Sequence, residues 1–157
     1  MRIILIALAI CALLRLFVFH TSRITGNSMQ HTLSSGDVVL VYDLAYAFGH
    51  APQRGDIIEC AFPNRSGRYV KRLIGLPGDR IEIRENCVYI NGAYLSESYV
   101  SSVAEDYAMQ LGADEYFVLG DNRADSYDSR AEDMGTLKRN DIYGRVLMKI
   151  APLKRIK

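Results

Sequence analysis

Turn-forming residues recur at short intervals after residue 20 and limit the chain to short extended segments. Breaks such as Leu76-Pro77-Gly78-Asp79 and Asn91-Gly92 have compositions typical of tight turns. The runs between them are rich in β-branched and aromatic residues, as strands are. Predicted strands cover residues 38–42, 56–62, 69–76, 80–84, 87–90, 116–120 and 143–150. We therefore predict a mainly β fold.

Two local patterns refine this organisation. Residues 81–95 favour consecutive hairpins, because two-residue turns separate their apolar runs. Only residues 98–111 have a spacing of apolar residues that suits a helix. No repeat, low-complexity tract or linker divides the chain after residue 20, so we expect a single β-rich domain over residues 21–157.

The N-terminal segment is a long apolar run. Residues 3–14 are all apolar, Arg15 interrupts, and residues 16–19 resume the run. A helix over residues 3–19 would be roughly 26 Å long, against a bilayer hydrocarbon core of ~30 Å. Near the far end, the long side chain of Arg15 can reach the headgroups. We predict one transmembrane helix within residues 1–20, with a cytoplasmic N-terminus and an extracytoplasmic domain after it.

Two other interpretations of this segment stay open. A cleavable signal peptide fits Arg2 and the apolar run, but residues 16–25 are bulky and contain no small-x-small cleavage site. A lipoprotein signal ending at Cys11 is the second, although Ile10 stands where a small residue is required. Both departures favour an uncleaved anchor in the cell membrane.

Charge and cysteine content exclude several classes of partner. Nineteen Lys and Arg against eighteen Asp and Glu give a net charge of +1, so no basic field attracts nucleic acid. Cys11, Cys60 and Cys87 form no CxxC pair, which argues against zinc. A Cys60–Cys87 disulfide and two separate buried thiols both fit the sequence. We expect no cofactor and no metal, since no phosphate loop or metal-ligand spacing occurs.

The common hydrolase motifs fail here. Residues 26–30 have the first half of GxSxG but not its final glycine, and neither SxxK nor HExxH occurs. A Ser-His-Asp triad would need His20, His31 or His50, but His31 lies only three residues from Ser28, and the other two have no evident orienting partner. An α/β-hydrolase or a zinc protease is therefore unsupported.

A lysine offers another general base. Lys71 and Arg72 are neighbours on the predicted strand 69–76, so their side chains point to opposite faces. A lysine that accepts a proton near pH 7 needs a pKa lowered by about 3 units, and burial shifts it in that direction. A surface lysine is the competing interpretation. The dense polar segment 120–130, directly after an apolar strand, favours a catalytic one.

Taken in order, these segments resemble bacterial-type signal peptidase I, the membrane-bound serine proteases that remove signal peptides from exported proteins. The resemblance covers almost the whole chain. It rests on the anchor and on residues 26–33, 35–37, 54–56, 69–79 and 120–130. These motifs are specific as an ordered set, although each one alone is weak.

The resemblance implies roles for five residues. Ser28 would attack the scissile carbonyl, and Lys71 would take the proton of Ser28 as general base. Ser126 would hydrogen-bond Lys71 and orient it, with Asp128 and Arg130 as a supporting ion pair. The implied substrates are preproteins whose signal peptides end in a small-x-small (Ala-x-Ala) site and bind as an added β-strand.

Some positions depart from the family pattern. Gly26 stands where some relatives carry a hydroxyl that helps the backbone N–H of Ser28 bind the oxyanion, and losing one such donor can cost ~3 kcal/mol. His31 replaces the usual proline, and His20 and Thr21 replace an acidic-proline pair. With Gly26, the site must find another donor or work without it. The changes at His31 and at His20-Thr21 do not touch the implied Ser-Lys dyad.

The anchor and the nucleophile lie close together along the chain. The stretch from Phe19 to Ser28 spans at most about 30 Å, so the site should lie near the membrane surface, where a signal peptide is cut. A Ser-Lys protease with one dedicated substrate, such as a pilin, stays open. So does an inactive membrane-tethered module that binds exported peptides. Repressor-type self-cleaving proteases instead carry a DNA-binding region and no anchor.

Overall fold

The structure is a computed structural model that describes residues 2–6 and 18–151. Its strands form two antiparallel sheets, which confirms the mainly β prediction. The strands are β1 (Phe19–Arg23), β2 (Val38–Tyr42), β3 (Ile57–Cys60), β4 (Tyr69–Gly75), β5 (Arg80–Arg84), β6 (Cys87–Ile90), β7 (Ala93–Tyr94), β8 (Tyr107–Gln110), β9 (Phe117–Leu119) and β10 (Ile142–Ala151).

The larger sheet has the strand order β1-β2-β10-β3-β4-β9. The last strand, β10, lies in the middle, where it pairs with β2 on one side and β3 on the other. Two clusters of buried side chains pack against this sheet. One is centred on Ile58, Phe62, Leu73 and Leu137, and the other on Met29, Leu33, Val39 and Val41.

The smaller sheet has the order β7-β6-β5-β8, and three of its strands, β5, β6 and β7, form the predicted hairpins. The turn residues Glu85 and Asn86 have φ of 49° and 68°, the positive values that a two-residue type I′ hairpin turn requires. Asn91 and Gly92 make the next turn in the same way, with φ of 53° and 81°. A third core joins the sheets, because Ile81 packs in one cluster with β9 residues such as Phe117.

The predicted helix over residues 98–111 is wrong. Residues 107–110 form strand β8, which pairs with β5, and no helix occurs between residues 98 and 111. The burial repeats with period two: Tyr107 and Met109 pack against the core, whereas Ala108 and Gln110 are exposed. Tertiary packing has therefore overridden a weak local helical pattern.

The predicted anchor lies mostly outside the described residues. Residues 2–6 are helical, and among the described residues no helix is long and apolar enough to cross a membrane. The strand β1 begins at Phe19, the last residue of the predicted helix over 3–19, and was itself not predicted. The Phe19 ring stacks on Tyr42 of β2, with ring centroids 5.1 Å apart. Phe19 thus belongs to the β domain.

Two of the cysteines are free thiols. Cys60 is buried on β3 in the larger sheet, and Cys87 lies on β6 in the smaller one. The alternative of a Cys60–Cys87 disulfide is therefore wrong. Cys11 lies outside the described residues.

Candidate active site

Lys71 is buried in the larger sheet, on the strand next to the edge strand β9. It lies on β4 opposite Ile58 of β3, and only 3% of its surface is exposed. Its Nζ is 3.2 Å from Oγ of Ser126. Burial lowers the pKa of Lys71 below the ordinary lysine value, and the nearby carboxylate of Asp128 opposes part of this shift. The chain thus holds a lysine with weakened affinity for its proton beside a hydroxyl.

The segment after β9 carries Ser126 and a buried ion pair. The Asp128 carboxylate accepts hydrogen bonds from Nε and Nη2 of Arg130, at 2.8 and 3.0 Å. It also accepts the backbone N–H of Gly120, at 2.9 Å. Arg130 in turn donates to the carbonyl oxygens of Arg123 and Ser126. This bidentate pair fixes the fold of the loop that presents Ser126 to Lys71.

Ser28 lies on the turn between β1 and β2. The turn is closed by backbone hydrogen bonds from Gln30 to Asn27 and from Leu33 to Met29. The Ser28 carbonyl oxygen accepts the backbone N–H of Asn122, at 3.0 Å. Within residues 18–151, neither the hydroxyl nor the backbone N–H of Ser28 makes a hydrogen bond. Both groups are therefore available to an incoming molecule.

Gly120 is where the Ser28 turn and the Ser126 loop meet. A Cβ atom at this position would lie 2.2 Å from Ser126 Oγ and 2.4 Å from the Ser28 carbonyl oxygen. Only a residue without a side chain leaves room for both contacts. Through this glycine, the structure brings Ser28 and Ser126 together, and Ser126 contacts Lys71.

Arg72 and Asp121 form a second ion pair, for which the sequence alone indicated no role. As the strand alternation predicted, Arg72 leaves the opposite face of β4 from Lys71, and its Nε and Nη2 donate to the Asp121 carboxylate at 2.8 and 2.7 Å. Asp121 is fully buried. The available signal was an arginine forced to the other face of a buried strand, which calls for a carboxylate partner.

The three histidines make other contacts. His20 lies between the carboxylates of Asp43 and Glu59, at 2.6 and 3.0 Å. His31 and His50 are exposed. In the described part of the chain, none of them hydrogen-bonds Ser28, and no group of three or more His, Cys, Asp or Glu side chains is arranged to hold a metal ion.

A cavity of about 480 Å³ opens beside the site. Its lining includes Ser126 and Arg130, together with Asp106 and Tyr107 at the start of β8. The residue whose hydroxyl contacts Lys71 therefore borders a space large enough to admit part of a peptide.

The sequence as a whole matches a known class of peptidases. The family model for signal peptidases, peptidase S26, matches residues 1–151. The chain belongs to the signal peptidase I family. This confirms the resemblance seen in the ordered motifs.

Individual relatives agree with this assignment. A signal peptidase I from Bacillus licheniformis is 34% identical, with 99% of this chain and 89% of that protein aligned. One from Bacillus caldolyticus is 37% identical, with 96% and 89% aligned. The crystal structure of a signal peptidase I from Enterococcus faecalis V583 aligns with a TM-score of 0.56 and 39% identity, covering 62% of this chain and 97% of that one.

Proposed function

We propose that this chain removes signal peptides from exported preproteins after a small-x-small (Ala-x-Ala) site, with Ser28 as nucleophile and Lys71 as general base. The observation that carries the proposal is the buried Lys71, whose Nζ lies 3.2 Å from Ser126 Oγ close to the Ser28 turn. Membership of the signal peptidase I family supports the substrate class.

Burial gives Lys71 the property that a base needs. A lysine in water is protonated at neutral pH and cannot take a proton from a serine. The low polarity around Lys71 disfavours the ammonium form, and this raises the fraction of neutral amine. Ser126 holds the amine in place, and the Asp128–Arg130 pair holds the Ser126 loop. These roles make Ser28 and Lys71 the catalytic residues and the other three positioning residues.

The oxyanion site depends on the backbone. The Ser28 N–H has no acceptor in the described chain, so it is available to donate to the carbonyl oxygen of the scissile bond as negative charge develops there. Gly26 adds no side-chain donor, and its φ of 86° favours glycine. In this proposal, the Ser28 N–H is the principal donor.

The last part of the proposal concerns the position of the site relative to the membrane. An N-terminal anchor within residues 1–20, cytoplasmic at its start, would hold the domain of residues 21–157 against the outer face of the cell membrane. Since β1 begins at Phe19 and leads directly to the Ser28 turn, the site would lie close to the bilayer surface. A signal peptide whose apolar segment is still in the bilayer presents its cleavage site at that level.

Cleavage of a preprotein tests the proposal. We expect the detergent-solubilised full-length protein to cut a preprotein after its small-x-small site, and Ser28→Ala and Lys71→Ala to abolish the cut. Ser35→Ala and Lys138→Ala change an exposed serine and an exposed lysine, and they should keep the wild-type rate. Circular dichroism checks that all variants fold. A wild type that cuts none of several preproteins, or an active Ser28→Ala, would refute the proposal and favour a dedicated protease or a peptide-binding module.

A further inference from the structure

A chain of polar contacts supports the Ser28 turn from the face of β4 opposite Lys71. The Thr32 hydroxyl, at the end of this turn, donates to Oδ2 of Asp121 at 2.5 Å. The same carboxylate accepts two hydrogen bonds from Arg72. These hydrogen bonds tie the Ser28 turn to β4, the strand that carries Lys71.

An aromatic ring closes the chain of contacts on its outer side. The Arg72 guanidinium lies over the Tyr99 ring, with its central carbon 3.7 Å from the ring centroid. The Tyr99 hydroxyl donates to Glu97 at 2.6 Å, and Glu97 also accepts Nη2 of the buried Arg123 at 2.5 Å. Nε of Arg123 also donates to the Gly120 carbonyl oxygen, at 3.0 Å, which connects these contacts to the candidate site.

We propose that Thr32 and Tyr99 are positioning residues for the cleavage reaction, which set the place of Ser28 relative to Lys71 by clamping Arg72 and Asp121 between them. This inference rests on the proposed function. Through Tyr99, the segment between β7 and β8 would then take part in positioning the reacting groups. We call the group Thr32, Asp121, Arg72 and Tyr99 the clamp.

The clamp holds the Ser28 turn in position through the residues next to Asp121 and Arg72. Within residues 18–151, the hydrogen bond that holds Ser28 runs from the backbone N–H of Asn122 to the Ser28 carbonyl oxygen. Asn122 follows Asp121 directly, so a shift of Asp121 moves the group that holds Ser28. Lys71 stands next to Arg72 on β4, so a shift of Arg72 moves the base. The Arg72–Asp121 ion pair therefore sets the positions of both Ser28 and Lys71.

Tyr99 fixes the part of the clamp that hydrogen bonds leave free. Two hydrogen bonds to Asp121 and one from Nη1 to the Gly55 carbonyl oxygen hold the edges of the Arg72 guanidinium. The Tyr99 ring covers the flat face of the Arg72 guanidinium. The cation–π attraction between them is stronger than at an exposed site, because the surroundings are partly desolvated. Without the ring, Arg72 can tilt out of the plane that suits both Asp121 oxygens.

Steady-state cleavage kinetics with paired variants test the clamp. Thr32→Val keeps the shape of the side chain but removes its donor, and Tyr99→Leu removes the ring; we expect each to lower kcat about tenfold with KM nearly unchanged, because small misplacements of reacting groups reduce rate steeply. The conservative variants Thr32→Ser and Tyr99→Phe, which keep the donor and the ring, should recover most of the rate. Thr21→Val and Tyr94→Leu alter an exposed threonine and an exposed tyrosine and serve as matched controls.

Amide hydrogen exchange separates this inference from the proposed function. We expect faster exchange across residues 29–33 in Thr32→Val and Tyr99→Leu than in the two controls, whether or not a preprotein is cut. If the wild type cuts no preprotein, the proposed function fails, and the exchange rates alone decide whether the clamp holds the turn. Unchanged exchange and unchanged kcat in both variants would overturn the inference, as would a loss confined to KM.

Discussion

A single methyl group at Gly120 should disable the site without unfolding the protein. In Gly120→Ala the new Cβ would lie 2.2 Å from Ser126 Oγ and 2.4 Å from the Ser28 carbonyl oxygen, where ordinary contacts begin at 3.4 Å. Rotation of the Ser126 hydroxyl does not relieve the clash, because the Ser126 Cβ would still lie 2.6 Å from the new methyl group. The Ser28 oxygen belongs to the backbone, so the Ser126 loop and the Ser28 turn must both retreat by about 1 Å, and a misplacement of this size can cost about 100-fold in rate.

The expected loss corresponds to a barrier raised by about 2.7 kcal/mol. The assay is preprotein cleavage with kcat and KM determined separately, together with urea unfolding of the same variants. We expect the loss to fall on kcat, and the free energy of unfolding to drop by only about 1–3 kcal/mol, as for other overpacked sites.

Gly75→Ala is the matched control. A Cβ at Gly75 would lie 2.6 Å from Cδ1 of Leu111 and 2.7 Å from Cδ1 of Ile81, in the core that joins the sheets. This variant should lose comparable stability and keep kcat per folded molecule. The reasoning fails if Gly120→Ala cleaves as fast as the wild type, or if both variants lose kcat equally, because the effect would then reflect overpacking in general.

Three further predictions follow from the burial of single groups. Burial lowers the pKa of Lys71 in the folded state, so between that pKa and about 10.4 the unfolded chain binds more protons. The free energy of unfolding should therefore rise with pH across this window, and Lys71→Met should lack the rise in urea titrations at several pH values. Asp128→Asn breaks a buried bidentate pair and should cost about 3 kcal/mol in urea unfolding, far more than Asp133→Asn at the surface. Burial raises the pKa of Cys60 to about 12, so peptide mapping after thiol labelling should find Cys87 modified well before Cys60, and equal rates would contradict the buried position of Cys60.

Local chemistry made much of the fold predictable. The Glu85-Asn86 and Asn91-Gly92 turns fix their hairpins through residues that accept positive φ, and this preference is visible in the sequence. Strand β4 is likewise recognisable from its alternation. By contrast, β8 is stabilised by pairing with β5 and by contacts of Tyr107 with Phe117, which depend on residues distant in sequence. Its own composition is ambiguous between helix and strand, so the sequence could not predict it.

The same distinction applies to the candidate site. The resemblance pointed to Lys71 and Ser126 as partners, and the structure has them in hydrogen-bond contact. The Arg72–Asp121 pair joins residues far apart in the chain, and the ring of Tyr99 reaches it from a segment without regular structure. No local pattern encodes such contacts, because they form between residues that only the folded chain brings together.

The central position of β10 in the larger sheet determines when the chain can complete its fold. Ser28 belongs to the β1–β2 hairpin and Lys71 to β3–β4, and β10 is the strand that hydrogen-bonds these two halves into one sheet. A nascent chain that has not yet delivered residues 142–151 therefore holds Ser28 and Lys71 on halves whose backbones are not yet paired. Because such long-range closure is slow, we expect activity to emerge late and in one step as the chain is made, with no partly active fragment before it.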